Sequence, residues 1–427
     1  MAPQRRFFYG YYLAAFTFAV GFIDGCIYLY SRGVFVRDQI IDFDASRTEI
    51  SLVFTAVAIV SACFAPLLGY LLDRFPIRRV MACGAVFVAV GFVCLSQVQN
   101  LVQFAMVAAV FLGFGMGSIG TAANTKLMVN WFNRRRGFAL GIAIMGYSAA
   151  GAVMAPIALF MLNSLGWRHS YLAFAAVVVL IVLPAVLLLV RQRPADMQLG
   201  ADGDAFEADA DKPDNELAVA DAAPLARWQA FREQVGVYLS FTRSAPFWGV
   251  VFTFGLLAGT FGGFNLHLFL YYTELGVEEY WAALVLSFAS AVAIGSKPLF
   301  GLLIDRVNPR SATMVSCGCC LGAMLVLSAF TALPMLFVAG GLFGFGVGGM
   351  VPVRAAIISR LFSIEQYARA YGSLRLCMFP MTISWMPLIG YIYDTHGSYA
   401  PAFNVFAVLF SCAMVVAFFM IPARPGA

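Results

Sequence analysis

Charge is what this 427-residue sequence has least of. Asp, Glu, Lys and Arg make up 11% of it, where a soluble globular chain carries roughly 25%. With 62% hydrophobic residues and a mean hydropathy of +0.84, a soluble fold of this length would lack polar surface. A bilayer has to supply the missing apolar solvent. Short segments of alternating polarity are also missing, which excludes a closed β-barrel. No nucleotide-binding loop, metal-ligand cluster or nucleophile motif occurs, so an enzyme is not expected and no cofactor is called for. The nine cysteines fall in apolar stretches with neither zinc-ligand nor loop-disulfide spacing. Cys317, Cys319 and Cys320, close together in one such stretch, read as small core hydrophobes.

What is present is a series of long apolar runs. About 20 mostly apolar residues cross a bilayer as a helix. Twelve candidate spans run over 7–31, 47–72, 80–97, 101–129, 137–164, 168–190, 246–273, 280–303, 312–330, 334–359, 368–392 and 399–421. The expected fold class is an all-α membrane protein of twelve transmembrane helices embedded in a lipid bilayer. The first residues, MAPQRRFFYGYY, begin like a signal peptide but lead into a full-length span without a small-residue cleavage site. They are read as an uncleaved first helix. With both termini cytoplasmic, 19 of the 27 Lys and Arg fall in cytoplasmic loops and tails. Four (Arg32, Arg37, Arg47, Arg168) then fall in outer loops, the asymmetry of the positive-inside rule. The cluster Arg134, Arg135 and Arg136 sets topology in this reading, and no nucleic-acid partner is expected. A monomer in a bacterial inner membrane is the expected setting.

The pattern breaks at 191–245. Residues 196–221 hold nine acids and one Lys, a composition that cannot bury a core and reads as a partly disordered cytoplasmic linker. The Asp spacing at 202, 204, 209 and 211 does not meet the Glu and Gly positions of a calcium loop. The stretch 224–241 reads as an amphipathic surface helix. On either side the chain repeats itself. Gly69-Tyr-Leu-Leu-Asp73-Arg74 matches Gly301-Leu-Leu-Ile-Asp305-Arg306 at an offset of 232. Gly113-Phe-Gly115-Met-Gly117 matches Gly344-Phe-Gly346-Val-Gly348 at 231, as Pro156 matches Pro387 and Gly166 matches Gly397. Two six-helix halves, 1–190 and 246–427, related by a pseudo-two-fold axis, are therefore expected.

These residues resemble the major facilitator superfamily of transporters. Gly69-x-x-x-Asp73-Arg74-x-x-x-Arg78-Arg79 is similar to its loop motif between spans 2 and 3. Gly301-x-x-x-Asp305-Arg306-x-x-x-Arg310 is similar to the copy between spans 8 and 9. The resemblance implies an inner gate held by Asp–Arg pairing at these helix ends; plain positive-inside charge is the other reading of the same residues. A narrower resemblance lies in Asn130-Trp131-Phe132-Asn133-Arg134-Arg135-Arg136-Gly137-x-Ala139-x-Gly141-x-Ala143-x-x-Gly146. It looks like the span 4–5 signature of monocarboxylate transporters and oxalate:formate antiporters. That group carries a cation four residues before the loop-motif Gly of span 8, and Lys297 stands in that frame. The group usually has Arg there; Lys is a point charge rather than a planar fork. Asp24-Gly25 echoes part of the group's span 1 pattern. Arg375 lies about a turn from the group's span 11 Lys. The antiporter motif of drug exporters is not matched.

Ionisable residues inside spans cost roughly 2.5–3.5 kcal/mol each and are functional candidates. Five are found: Asp24, Lys126, Lys297, Arg354 and Arg375. Lys126 sits near a helix end and can snorkel to the surface. One acid cannot neutralise the deeper cations, which leaves positive charge for an anion. The leading expectation is alternating-access transport of a small organic anion, a mono- or dicarboxylate, bound by Lys297, Arg375 and Arg354. Arg354 also fits a role in the inner gate. Asn124, Tyr28, Asn265 and Tyr271 would orient the substrate. Proton symport, with Asp24 and His267 as coupling groups, and exchange for a counter-anion are both open. A lone His267 equally fits a satisfied structural residue. The alternative is proton-coupled export of drugs or other hydrophobic compounds, which the 41 Phe keep open. A transporter-like receptor is the remaining class.

Overall fold

The computed structural model describes residues 8–200, 202, 241–362 and 364–421. The stretch 224–240, most of the acidic linker (203–221) and the Asp305 side chain lie outside the described residues. Every regular element among the described residues is helical. The spanning helices are α1 (Tyr9–Phe43), α2 (Arg47–Arg74), α3 (Ile77–Leu95), α4 (Leu101–Trp131), α5 (136–165) and α6 (167–189). They continue with α7 (Ala245–Glu274), α8 (Glu279–Arg306), α9 (Pro309–Ala329), α10 (Leu333–Leu361), α11 (Ile364–His396) and α12 (Ala400–Met420). Among the described residues eleven apolar stretches are long enough to cross a bilayer, and one of them, Ala139–Leu189 at 51 residues, holds both α5 and α6, which makes twelve spanning helices among the described residues.

Local chemistry sets where these helices begin. Ser46 opens α2 with a capping box: Glu49 N donates to Ser46 Oγ (3.1 Å), and Ser46 N to a Glu49 carboxylate oxygen (2.8 Å). Asn308 caps α9 through Ser311 N (2.8 Å), with Pro309 at the first helical position. The repeat reappears in the backbone. Asp44 (φ 48°) and Gly276 (φ 76°), 232 apart, turn α1 into α2 and α7 into α8. Gly166 (φ 74°) and Gly397 (φ 65°), 231 apart, turn α5 into α6 and α11 into α12. All four sit in the left-handed region, where Gly and Asp are tolerated.

The glycine-rich runs explain how neighbouring helices approach. A Cβ on Gly115 would lie 2.5 Å from the Val88 side chain and 3.2 Å from Gly84 O, so α3 and α4 touch backbone to backbone. In the second repeat a Cβ on Gly346 would lie 2.6 Å from Ser316 O, and Ser316 Oγ donates to Gly346 O at 2.5 Å. Small residues at such contacts are the usual means of packing helices in lipid.

The first span differs from its expected end at 31. It continues through a π turn (Gly25–Tyr30) to Phe43. Arg32 and Arg37, expected in an outer loop, are helical, and Arg32 is buried. The reason is amphipathic: Arg32, Phe35, Val36 and Gln39 form one buried face at helical spacing. Asp24 thereby comes to the middle of a 35-residue helix. Two further π turns interrupt α4 (Ala108–Leu112) and α6 (Val178–Val182). The chain forms two compact units. Unit 1 comprises Met1–Glu207, Asn265–Ala291 and Met386–Thr395; unit 2 comprises Ala208–Phe264, Val292–Trp385 and His396–Ala427.

Candidate functional site

Unit 1 holds a buried polar centre around α1. Asp24 is 6% exposed, and its Oδ2 accepts a 2.5 Å hydrogen bond from the Tyr147 hydroxyl of α5. Its Oδ1 has no hydrogen-bond partner among the described residues. Helix α4 is broken at Gly120 (φ −87°, ψ −139°), where a Cβ would stand 2.9 Å from Asp24 Oδ2 and 3.0 Å from the Tyr147 hydroxyl. The next turn brings Asn124, 2% exposed, whose two amide atoms have no partner among the described residues. Buried polar groups are normally satisfied, so an orphaned amide marks a place where something else binds.

One and two turns beyond Asp24 lie Tyr28, half-buried, and Arg32, 5% exposed. The Arg32 guanidinium lies 5.8 Å from the centre of the Tyr28 ring and 5.5 Å from that of Phe54, while its Nε has no partner among the described residues. The sequence reading places Arg32 in an outer loop beyond a span ending at 31, whereas the helix runs on to Phe43 and buries it. The spacing Asp24, Tyr28, Arg32 at four-residue intervals was the available signal.

The residues expected on α7 also belong to unit 1. Asn265 is half-buried, and its backbone packs directly on Gly33 of α1. Tyr271 is buried with its ring against Tyr272. His267 is buried, with Nε2 3.1 Å from both Ser51 Oγ and Met386 O. The Ser51 hydroxyl spends its own proton on Arg47 O (2.6 Å), so the imidazole Nε2–H is the donor to both oxygens. That geometry ties α2, α7 and α11 together. Nearby, Arg47 pairs with Glu274 and lies over the Tyr393 ring. Asp394 accepts the N–H of Arg47 (3.2 Å) and of Thr48 (2.8 Å), the first turn of α2. Arg37 pairs with Glu279 at 2.5 Å.

Unit 2 holds the remaining cations. Arg354, 9% exposed, donates from Nη2 to the Tyr371 hydroxyl at 2.7 Å, and its Nη1 lies 3.9 Å from Met378 Sδ. Its Nε has no partner among the described residues. Lys297 is half-buried and precedes Pro298 in α8. Arg375 is exposed on α11.

Among the gating-motif residues, Gly69, Asp73 and Arg74 are exposed at the end of α2, and Arg78 is half-buried in α3. Asp73 pairs with Lys126 of α4, whose Nζ also donates to Leu72 O (2.7 Å). Lys126 thus serves as the partner of this motif. In the second copy, Gly301 is half-buried and Arg306 exposed, and Arg310 Nε donates to Ile421 O (2.7 Å). Arg360 of α10 donates to Ile304 O (3.2 Å). No group of three or more His, Cys, Asp or Glu among the described residues is placed to hold a metal ion.

The signature stretch 130–135 has a structural task. Asn130 Nδ2 donates to Gln192 O (3.1 Å) and Trp131 Nε1 to Arg191 O (2.9 Å). The Asp202 carboxylate accepts the N–H groups of Asn133 (3.0 Å), Arg134 (2.6 Å) and Arg135 (3.4 Å). Slight burial pushes the Asp202 carboxyl up, but these three donors and the Arg134 charge outweigh it and hold it below the usual carboxylate range. A polar clip therefore joins the end of α4 and the turn into α5 to the chain leaving α6.

Comparison with known proteins bears on all of this. The family model described as Major Facilitator Superfamily matches residues 7–333. Human monocarboxylate transporter 11 is 24% identical over 409 residues, covering 92% of this chain and 79% of that protein. Monocarboxylate transporter 2 of Mesocricetus auratus is 24% identical over 384 residues, 86% and 74% of the two chains. The crystal structure of a bacterial homolog to the human lysosomal transporter Spinster, inward-facing and occupied, superposes with a TM-score of 0.73 at 14% identity. It covers 99% of this chain and 98% of that one, a likeness of fold.

Proposed function

The chain belongs to the Major Facilitator Superfamily, an integral membrane transporter of that fold, and within it we propose a secondary transporter of small organic anions, mono- or dicarboxylates. One observation carries this reading. The described residues bury two guanidinium groups, Arg32 and Arg354, and a single carboxylate, Asp24. That carboxylate is engaged by a phenol rather than by a cation. Charge buried in lipid-spanning helices without an ionic partner is expensive and is kept where a ligand completes it. The names of the relatives, monocarboxylate transporters of mammals, support the same substrate class.

In this reading Arg32, Lys297, Arg354 and Arg375 attract and bind the anion. Asn124, Tyr28, Asn265 and Tyr271 orient it, and Asp24 carries the coupling proton. His267, held between Ser51 and Met386, is a structural tie rather than a proton carrier. Exchange against a counter-anion uses the same cations without Asp24. Lys126 and Asp73 secure the first gating motif. The working protein is a monomer in a bacterial inner membrane with both termini cytoplasmic.

The test is uptake of labelled pyruvate and succinate into proteoliposomes, with and without an inward proton gradient. Stimulation by the gradient indicates symport; stimulation by internal unlabelled anion indicates exchange. No uptake of any small carboxylate, together with resistance to hydrophobic compounds on overexpression, would overturn the reading in favour of drug export.

A further inference from the structure

Tyr147 stands at a three-helix junction that the transport reading leaves without a task. Gly25 of α1 lies so close to α5 that a Cβ there would be 3.3 Å from the Tyr147 backbone. The Tyr147 hydroxyl donates to Asp24 Oδ2 at 2.5 Å and receives the Thr121 hydroxyl at 3.4 Å. Thr121 is the first residue of α4 after its break, and a Cβ on Gly120 would stand 2.9 Å from the carboxylate and 3.0 Å from the phenol. Any side chain at 120 would crowd both of them and Met116 O, 2.5 Å from the same point. The break is thus in contact with the carboxyl group, and Asn124, with its orphaned amide, rides on the segment that follows.

We infer that Tyr147 is a positioning residue for Asp24, holding the carboxylate against the break in α4 so that proton binding is passed to Asn124. This rests on the reading of Asp24 as the coupling site. A phenol that donates to a carboxylate favours its ionised form. When Asp24 Oδ1 takes a proton from the aqueous side, the attraction between Oδ2 and the phenol weakens. The Tyr147–Thr121 contact and the bend at Gly120 are then free to change, and with them the direction of the Asn124 amide. Other titratable groups do not obscure this. Tyr28 and Arg32 follow on α1 itself, Lys126 on the α4 segment is taken by Asp73, and the packed end of α6 (Leu183–Leu189) carries none.

The experiment is a pH titration of the purified full-length protein by infrared difference spectroscopy, reading the carboxyl C=O band that Asp24→Asn removes. A hydrogen bond to a charged group contributes enough to move a titration by about one pH unit. Tyr147→Phe, which keeps the ring, is expected to move that midpoint up by about one unit. The pH dependence of pyruvate uptake should move by the same amount. Should Tyr147→Phe fail to fold, 3-fluorotyrosine at 147, a stronger donor, is expected to move the midpoint down. An unmoved midpoint in the folded variant overturns the inference while leaving the coupling role of Asp24 standing. If Asp24→Asn keeps the wild-type pH dependence of uptake, the coupling role falls and the inference with it.

Discussion

Leu72 and Ile304 stand 232 residues apart, and each presents its carbonyl at the end of its helix to a cation from two helices further on. Lys126 reaches Leu72 at 2.7 Å, and Arg360 reaches Ile304 at 3.2 Å. The two repeats agree in such places: turn backbones, small-residue helix contacts, and these cation-bound carbonyls at helix ends. They part company at two half-buried phenols, which do not stand at matching positions of the repeat. In the first repeat Tyr147 donates to a carboxylate; in the second Tyr371 accepts from a guanidinium. A phenol can do either. The three π turns all fall in the first repeat among the described residues, one of them directly after Asp24. Such turns often sit at functional positions. The shared parts are scaffold, and the phenol partners of opposite charge set the two repeats apart.

The sharpest way to break this comparison is to remove the charges. Arg32→Ala and Arg354→Ala should each lower pyruvate uptake at least tenfold. Truncating a buried charged contact costs about 2–5 kcal/mol. Arg37→Ala, at an exposed pair, should stay within about twofold. Equal effects of all three would dissolve the distinction between site and scaffold.

The shared scaffold makes a paired prediction of smaller size. Gly166→Ala and Gly397→Ala force an L side chain into the left-handed region and should each destabilise by roughly 1–2 kcal/mol, read as a lowered thermal midpoint in detergent. Gly69→Ala, with open space around its Cβ, should be neutral or slightly stabilising. A large difference between the two turn variants would show that the repeats are not mechanically equivalent.

Smaller still is the effect at the helix ends. Lys126 and Asp73 are partly exposed, so Lys126→Ala should lower stability by about 0–1 kcal/mol, with Arg360→Ala in the same range. At the bottom of the scale is Asp202→Asn. Its carboxyl is held below the usual range, so the clip is at full strength above that range and loosens as pH falls through the lowered value. The variant should speed hydrogen exchange at the Asn133, Arg134 and Arg135 amides without moving the thermal midpoint.

The fold was legible because lipid imposes long apolar runs and because the repeat offset is nearly constant. Gly166 and Gly397 match by number alone in the sequence, and both carry a positive φ in the structure. The site was legible only in part. Asp24 and Arg354 stood out as charges in apolar runs. Arg32 did not, since a helix that continues past its first arginine looks like a loop until its buried face is seen. Tyr147 and Tyr371 gave no signal, because a phenol in an aromatic-rich membrane chain is unremarked until its partner is known. Lys126 looked like a surface-seeking end residue, and its partner Asp73 lies 53 residues away.

The clip at 130–135 has a consequence for how the chain tolerates change. Asn130, Trp131 and the three amides gripped by Asp202 act as a strain relief acts on a cable. A pull applied beyond residue 202 is arrested at the turn between α4 and α5 before it reaches α6. Inserting a fluorescent protein or a protease site a few residues past Asp202 should therefore leave transport intact. The same cargo placed between Leu189 and Arg191, ahead of every contact of the clip, would tug directly on α6.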